Sequence, residues 1–272
     1  MQIEWQTAPV ANLAASLIGT RLVQISDLHL DRWNREVLDW AVETVNRLKP
    51  DVIFCTGDVI AEGREFLDDL SHLLGKLTAN LGKYACLGNH DYSDGYGSHA
   101  VRRAMHRAGF RVLVNETVTL MHRFCRLQLA GLDDLLLGKP DLTKTTAHWS
   151  AETPVLLLNH NPANFPQVAE FGPDWVFSGH THGGQIAVPK ALRQYFLGSE
   201  FLAGHYRHAD SQLYVNRGLG SAVITSKNWR FPTPRIGVAP EVTVFTLVRD
   251  GMKSVESDLA ARRPARSDAA YI

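Results

Sequence analysis

The chain has 272 residues, 45% of them hydrophobic and 21% charged, and its 28 basic residues balance its 28 acidic ones. That apolar fraction supports a proper core and excludes a wholly disordered or collagen-like chain. With zero formal net charge, no global electrostatic term draws the chain to nucleic acid, which is not expected as a partner.

The apolar stretch 8–19 is interrupted by Pro9, Asn12 and Ser16, and it falls short of the roughly 20 apolar residues a membrane span needs. The opening Met1-Gln-Ile-Glu-Trp-Gln lacks the basic start of a signal peptide. Cys55, Cys86 and Cys125 are too few and too scattered for a disulfide framework or a cysteine zinc site, so they are expected as buried free thiols. These features lead to the expectation of a cytoplasmic protein.

Residues 21–26 read as a strand that breaks at Asp27-Leu-His29. Apolar positions three and four apart from Val37 to Leu48 mark a helix over 36–48, which Pro50 ends. The run 52–55 is a buried strand stopping at Thr56-Gly-Asp58, 66–77 is a second amphipathic helix, and 84–87 is a strand stopping at Gly88-Asn-His-Asp91. Strands alternating with helices at this spacing predict βαβ units and a parallel start. After a helix at about 98–109, short runs at 111–115, 117–121 and 126–130 resemble an antiparallel meander. A helical stretch at 141–148 leads to strands at 155–158 and 175–177, with later strands at 213–215 and 242–247. The expected organisation is one α/β domain over 1–250 with two packed sheets, followed by a polar, flexible tail over 251–272.

Five of the predicted strands end in side chains able to bind metal: Asp27 and His29, Asp58, Asn89 and His90, His160, and His180 with His182. The C-terminal edge of strands is where open α/β sheets bind ligands. Positions 27, 58 and 89 are each 31 residues apart, about one βαβ unit of ~30 residues, so adjacent strands bring them side by side. In Asp27-Leu-His29 and His180-Thr-His182 the two-residue period of an extended chain would turn both side chains to one side. A donor set of carboxylate, amide and imidazole without sulfur suits Mn, Fe or Zn. Two Asp, one Asn and four of these His, seven donors, fit two divalent ions about 3.5–4 Å apart if one carboxylate bridges, an arrangement that clamps the oxygens of an in-line phosphoryl displacement.

On the blocks Asp27-Leu-His29, Gly57-Asp58, Gly88-Asn-His-Asp91, His160 and Gly179-His-Thr-His182, the chain resembles the calcineurin-like metallophosphoesterases. Asn159-His-Asn-Pro162, Gly179-His-Thr-His-Gly-Gly-Gln185 and Asn216-Arg-Gly-Leu-Gly220 are similar to its bacterial YaeI/YkuE-like phosphodiesterase branch. The resemblance implies a four-layer α-β-β-α sandwich and two divalent ions. One ion would be held by Asp27, His29, Asp58 and His182, the other by Asp58, Asn89, His160 and His180, with Asp58 bridging. It further implies that His90 is the general acid and that Asp91 orients it through an Nδ1–H···carboxylate bond. The implied reaction is attack of a metal-activated hydroxide on a phosphodiester or pyrophosphate.

Two departures from the protein phosphatases of this superfamily disfavour a phosphoprotein substrate: Val59 follows Asp58, and Asp91 follows Asn89-His90. The substrate classes left open are a nucleotide-linked lipid such as UDP-2,3-diacylglucosamine of lipid A synthesis, a cyclic nucleotide, or a general phosphodiester. The first would bring peripheral contact with the inner membrane. A non-catalytic interaction scaffold is the alternative of a different class. Arg217, Lys227, Trp229 and Arg230 are the expected substrate-binding residues, with Arg235 in the same basic and aromatic loop and an apolar flap over 189–197.

Overall fold

Alternate residues of the central strands face opposite ways, and both faces are apolar. Strand β2 (Arg21–Ile25) sends Leu22 inward and Val23 and Ile25 outward, while β3 (Val52–Thr56) sends Val52 and Phe54 inward and Ile53 and Cys55 outward. Such strands must be covered on both sides. The computed structural model describes residues 1–61, 65–92, 98–186, 200–221, 223–226 and 229–251, with only the backbone path for 223–226 and 229–232.

The first sheet also contains β1 (Gln2–Val10), β4 (Gly82–Cys86), β5 (Phe110–Val112) and β14 (Glu241–Arg249), in the order β1-β14-β2-β3-β4-β5. Strands β2 to β5 are parallel, and β14 runs antiparallel to β2. The second sheet has the order β10-β11-β9-β8-β7-β6 and is built from β6 (Glu116–His122), β7 (Cys125–Gly131), β8 (Val155–Leu158), β9 (Trp175–Ser178), β10 (Gly204–His208) and β11 (Ser211–Val215). A hairpin of β12 (Val223–Ser226) and β13 (Trp229–Pro232) stands apart from both sheets.

Helices α1 (Arg35–Arg47), α2 (Leu67–Gly75) and α3 (His99–Arg107) cover the outer face of the first sheet through Leu38, Val45, Leu70, Leu73, Val101 and Met105. Phe165 and Val168 of α5 (Phe165–Ala169), with Leu142 of α4 (Leu142–Thr146), cover the outer face of the second. Between the sheets Phe54, Phe177, Trp175 and Phe245 form a ring cluster with centroids 5.0–6.0 Å apart. Burying each such side chain contributes about 1.5–3 kcal/mol. These are two mixed sheets with helices outside them, the expected four layers.

Three elements differ from the sequence expectation. Residues 2–10 form a full edge strand, although Pro9 argues against one; an edge position tolerates proline because one side of the strand needs no ladder donor. The run near 111 is not part of a meander: β5 joins β4 in the first sheet, and of the three runs the other two, β6 and β7, make an antiparallel hairpin. Strand β10 is a further edge strand whose His-Tyr-Arg-His sequence hid its pairing with β11. Cys55 and Cys86 are buried free thiols as expected, whereas Cys125 is half-buried. No helix among the described residues is long and apolar enough to cross a membrane.

Candidate active site

The parallel strands deliver their C-terminal loops to one edge, and those loops continue to pair beyond the strands. The Asp27 amide donates to the Gly57 carbonyl at 3.0 Å, the His29 amide to Asp58 O at 3.0 Å, and Gly179 N to His160 O at 3.0 Å. Below them Gln24, a polar residue on an inner-face position, donates to Thr56 Oγ1 at 3.0 Å and to Ser178 O at 2.9 Å, tying the two sheets together under the site. The signal for it in the sequence is slight: one amide within an apolar strand.

Asp27, His29, Asp58, His180 and His182 all have positive φ, between 42° and 71°. Asp and His are among the few non-glycine residues enriched in this left-handed region, and holding residues there costs of order 1–3 kcal/mol each. The surrounding loop pairing sustains that cost. Asp27 with His29, and His180 with His182, therefore enter the site from left-handed turns, not from the extended alternation that the sequence suggested.

The donor atoms of Asp27, His29 and His182 lie within 4.8 Å of one another, as do those of Asp58, His160 and His180. Asp58 Oδ2 sits between the two sets, 3.6 Å from His29 Nε2 and 3.3 Å from His160 Nε2. His29 Nε2 faces His182 Nε2 at 3.0 Å, and His180 Nδ1 faces His160 Nε2 at 3.3 Å. Outer contacts fix most of these groups. Asp27 accepts from Ser26 Oγ at 2.6 Å and from the His180 amide at 3.0 Å, and the His160 ring meets Thr56 O through Nδ1 at 2.7 Å. Glycines make the approach physically possible: a Cβ on Gly88 would overlap the Asp58 carboxylate, and one on Gly179 would overlap Ser26 and Asp27.

The electrostatics favour positive charge at the centre. Burial holds the imidazoles of His29, His180 and His182 below the usual range, His29 at about 3. Burial also opposes a charged His160, but the adjacent Asp58 carboxylate outweighs it and pushes that ring up to about 10. For Asp58 burial is likewise overcome, chiefly by His160, and its carboxyl is held well below the carboxylate range. The residues fit cations independently of these shifts. Asn89 Oδ1 is buried without a hydrogen-bond partner among the described residues, and a buried acceptor in that state is costly unless something binds it. The seven expected ligands are brought together at one edge.

His90 is there as well, its ring 4.7 Å from that of His29 and its amide donating to Asp58 Oδ1 at 2.8 Å. The expectation for Asp91 needs correction. The His90 ring meets the Ala61 carbonyl through Nδ1 at 2.9 Å, which supplies the orienting acceptor. The buried Asp91 carboxylate instead accepts from the amides of Gly88, Asp58 and Val59 at 2.8–3.0 Å. Three amides converge on one carboxylate because the loops after β3 and β4 both expose donors that no strand pairs. Burial, with the neighbouring Asp58 charge, raises the Asp91 carboxyl to about 7. Asp91→Ala strands those three donors and is expected to cost about 3–5 kcal/mol of stability. Denaturant unfolding of the variant beside Asp91→Asn checks this, and the asparagine, which keeps one acceptor oxygen, should fall between.

Of the expected substrate-binding residues, Arg217 has its guanidinium occupied, Nη2 donating to Glu4 at 2.7 Å and Nε lying 2.5 Å from Glu241. Lys227, the side chains of Trp229 and Arg230, the 189–197 flap and the tail beyond 251 lie outside the described residues. Arg235 reaches the site: its guanidinium lies 3.0 Å from His182 Nδ1 and donates to the carbonyls of Arg217 and Gly220. Burial pulls its pKa down to about 10.

Residues 20–184 match the calcineurin-like phosphoesterase family. The chain is 37% identical over 235 residues to the uncharacterized metallophosphoesterase YkuE of Bacillus subtilis, covering 84% of this chain and 79% of that one. It is 31% identical over 289 residues to the UDP-2,3-diacylglucosamine pyrophosphatase LpxG of Chlamydia muridarum, covering 85% and 84%. Among solved structures, Haemophilus influenzae NAD nucleotidase superposes with a TM-score of 0.51 at 12% identity, over 79% of this chain and 55% of that one, which speaks to the fold alone. The chain belongs to the calcineurin-like phosphoesterase family and is a hydrolase of phosphoesters.

Proposed function

We propose that the protein is a two-metal phosphodiesterase or pyrophosphatase whose bridging ligand is Asp58. The observation that carries this reading is the placement of Asp58 Oδ2 between His29 and His160, with one donor set on each side. Asp27, His29, Asp58 and His182 would hold one divalent ion, and Asp58, Asn89, His160 and His180 the other. Such ions supply Lewis acidity and lower the pKa of coordinated water.

The chain's own residues do the rest. Asp91 organises the two loops that carry Asp58 and Asn89, so the donor geometry is set before substrate arrives. Donation from His90 Nδ1 to Ala61 O orients the ring, and in the protonated imidazole Nε2–H is the donor that would pass a proton to the leaving oxygen.

Within that class, the pyrophosphate of a nucleotide-linked lipid is the substrate placed first. The likeness to LpxG supports it. So do Trp33, Leu136, Leu137, Ile186 and Ile236, each at least half exposed on loops that follow or, for Ile236, precede strands at this edge, and suited to an apolar moiety. The test of the activity is hydrolysis of bis-p-nitrophenyl phosphate beside p-nitrophenyl phosphate, in Mn²⁺ and then Zn²⁺. Metal-dependent cleavage that favours the diester is expected; a strong preference for the monoester would overturn the diesterase reading.

A further inference from the structure

Arg235 is brought to the site by pairing between two distant loops. Ile186 and Ile236 form a parallel bridge, the Ile236 amide donates to Gln185 O at 2.8 Å, and Thr233 Oγ1 bonds the Gln185 side chain. The loop that begins with His182 and the loop that carries Arg235 are therefore held together. The guanidinium that results is unusual in its partners. It donates through Nε and Nη2 to the Gly220 carbonyl and through Nη2 to Arg217 O, and Nη2 also lies against His182 Nδ1. All of these are neutral acceptors, and no carboxylate forms an ion pair with Arg235 among the described residues. Its Nη1 is buried with no hydrogen-bond partner among the described residues.

A largely buried guanidinium with no directly paired carboxylate and an unmatched donor is costly. Arg217, nearby, shows the charge-paired alternative: Glu4 and Glu241 neutralise it, although its Nε is not aligned for a hydrogen bond. The contact with His182 adds a second reason. A neutral imidazole that offers its Nε2 lone pair to a cation carries its one proton on Nδ1. Nδ1 then cannot accept from Arg235, and Nη2 keeps only the Arg217 and Gly220 carbonyls. The donors left without a partner are those of Nη1, on a guanidinium that lies against the ligand His182, a placement that suits a phosphoryl oxygen.

We infer that Arg235 is the substrate-anion residue of this site, binding non-bridging oxygens of the phosphoester, and that Arg217 is a structural ion-pair residue instead. The inference rests on the phosphoesterase reading for its substrate and deepens it.

Inorganic phosphate is the probe, titrated calorimetrically into metal-loaded wild type, Arg235→Gln and Arg235→Lys, with metal content and thermal unfolding measured on each. Arg235→Gln should weaken phosphate binding by about 10- to 100-fold at unchanged metal content. Arg235→Lys keeps the charge without the fork and should lose several-fold; it serves as the test variant if the glutamine does not fold. Phosphate affinity equal to wild type in either folded variant overturns the inference. So does loss of metal from both, which would make Arg235 only a support for His182. Wild type that cleaves no ester while Arg235→Gln loses phosphate binding would instead count against the phosphodiesterase reading and leave the anion site standing.

Discussion

Asp58→Asn is expected to lower kcat for the diester by about 10³-fold, the loss that several kcal/mol of transition-state charge stabilisation represents. Asparagine keeps the size of the side chain and can still accept from the His90 amide, so the loops on either side have little reason to move. What it removes is the one negative charge facing both His29 and His160. In its place an amide N–H₂ or a neutral oxygen meets the two rings, and neither holds two cations together. Metal analysis should show a deficit of at least one ion per chain alongside the rate loss. A variant with full metal and near wild-type turnover would remove Asp58 from the bridging role.

His90→Ala, by contrast, is expected to retain its metal and lose about 10²–10³-fold in kcat. The side chain is placed by Ala61 O and by the backbone contact of its own amide to Asp58. The amide contact survives the substitution, which is why the metal ligands should keep their positions. Using an ester with a better leaving group gives a second readout. A leaving oxygen of low basicity needs little protonation, so the defect should shrink as the leaving group improves. An equal defect for good and poor leaving groups would mean that His90 is not the acid. Loss of metal together with activity would make it a ligand support.

Much of this site can be read from residues 27 to 182 without a structure, because the signal is local and repeated. A strand that buries both faces reads as a short apolar run, and each such run here stops at a polar residue of one donor class. The spacing of 31 residues between positions 27, 58 and 89 follows from the βαβ unit itself. Chain connectivity and apolar periodicity therefore determine that the donors share an edge, and the donor types determine that the edge suits borderline metals.

The tertiary structure decided which partner each side chain meets, because those choices depend on residues far apart in the chain. Asp91 adjoins His90 in sequence, yet three unpaired amides on two loops outcompete the imidazole for its carboxylate. Arg217 and Arg235 look equivalent as basic residues in loops; Glu4, 213 positions away from Arg217, claims one and leaves the other to the site. The left-handed backbone at five ligands is set by loop-to-loop pairing, not by any local preference strong enough to read in advance. Residues 2–10 are a strand for a similar reason: β14, near the other end of the chain, gives them a ladder that Pro9 on an open edge does not interrupt. Local patterning sets where polar groups emerge from the sheets, whereas competition among hydrogen-bond partners in the folded chain sets what each one does.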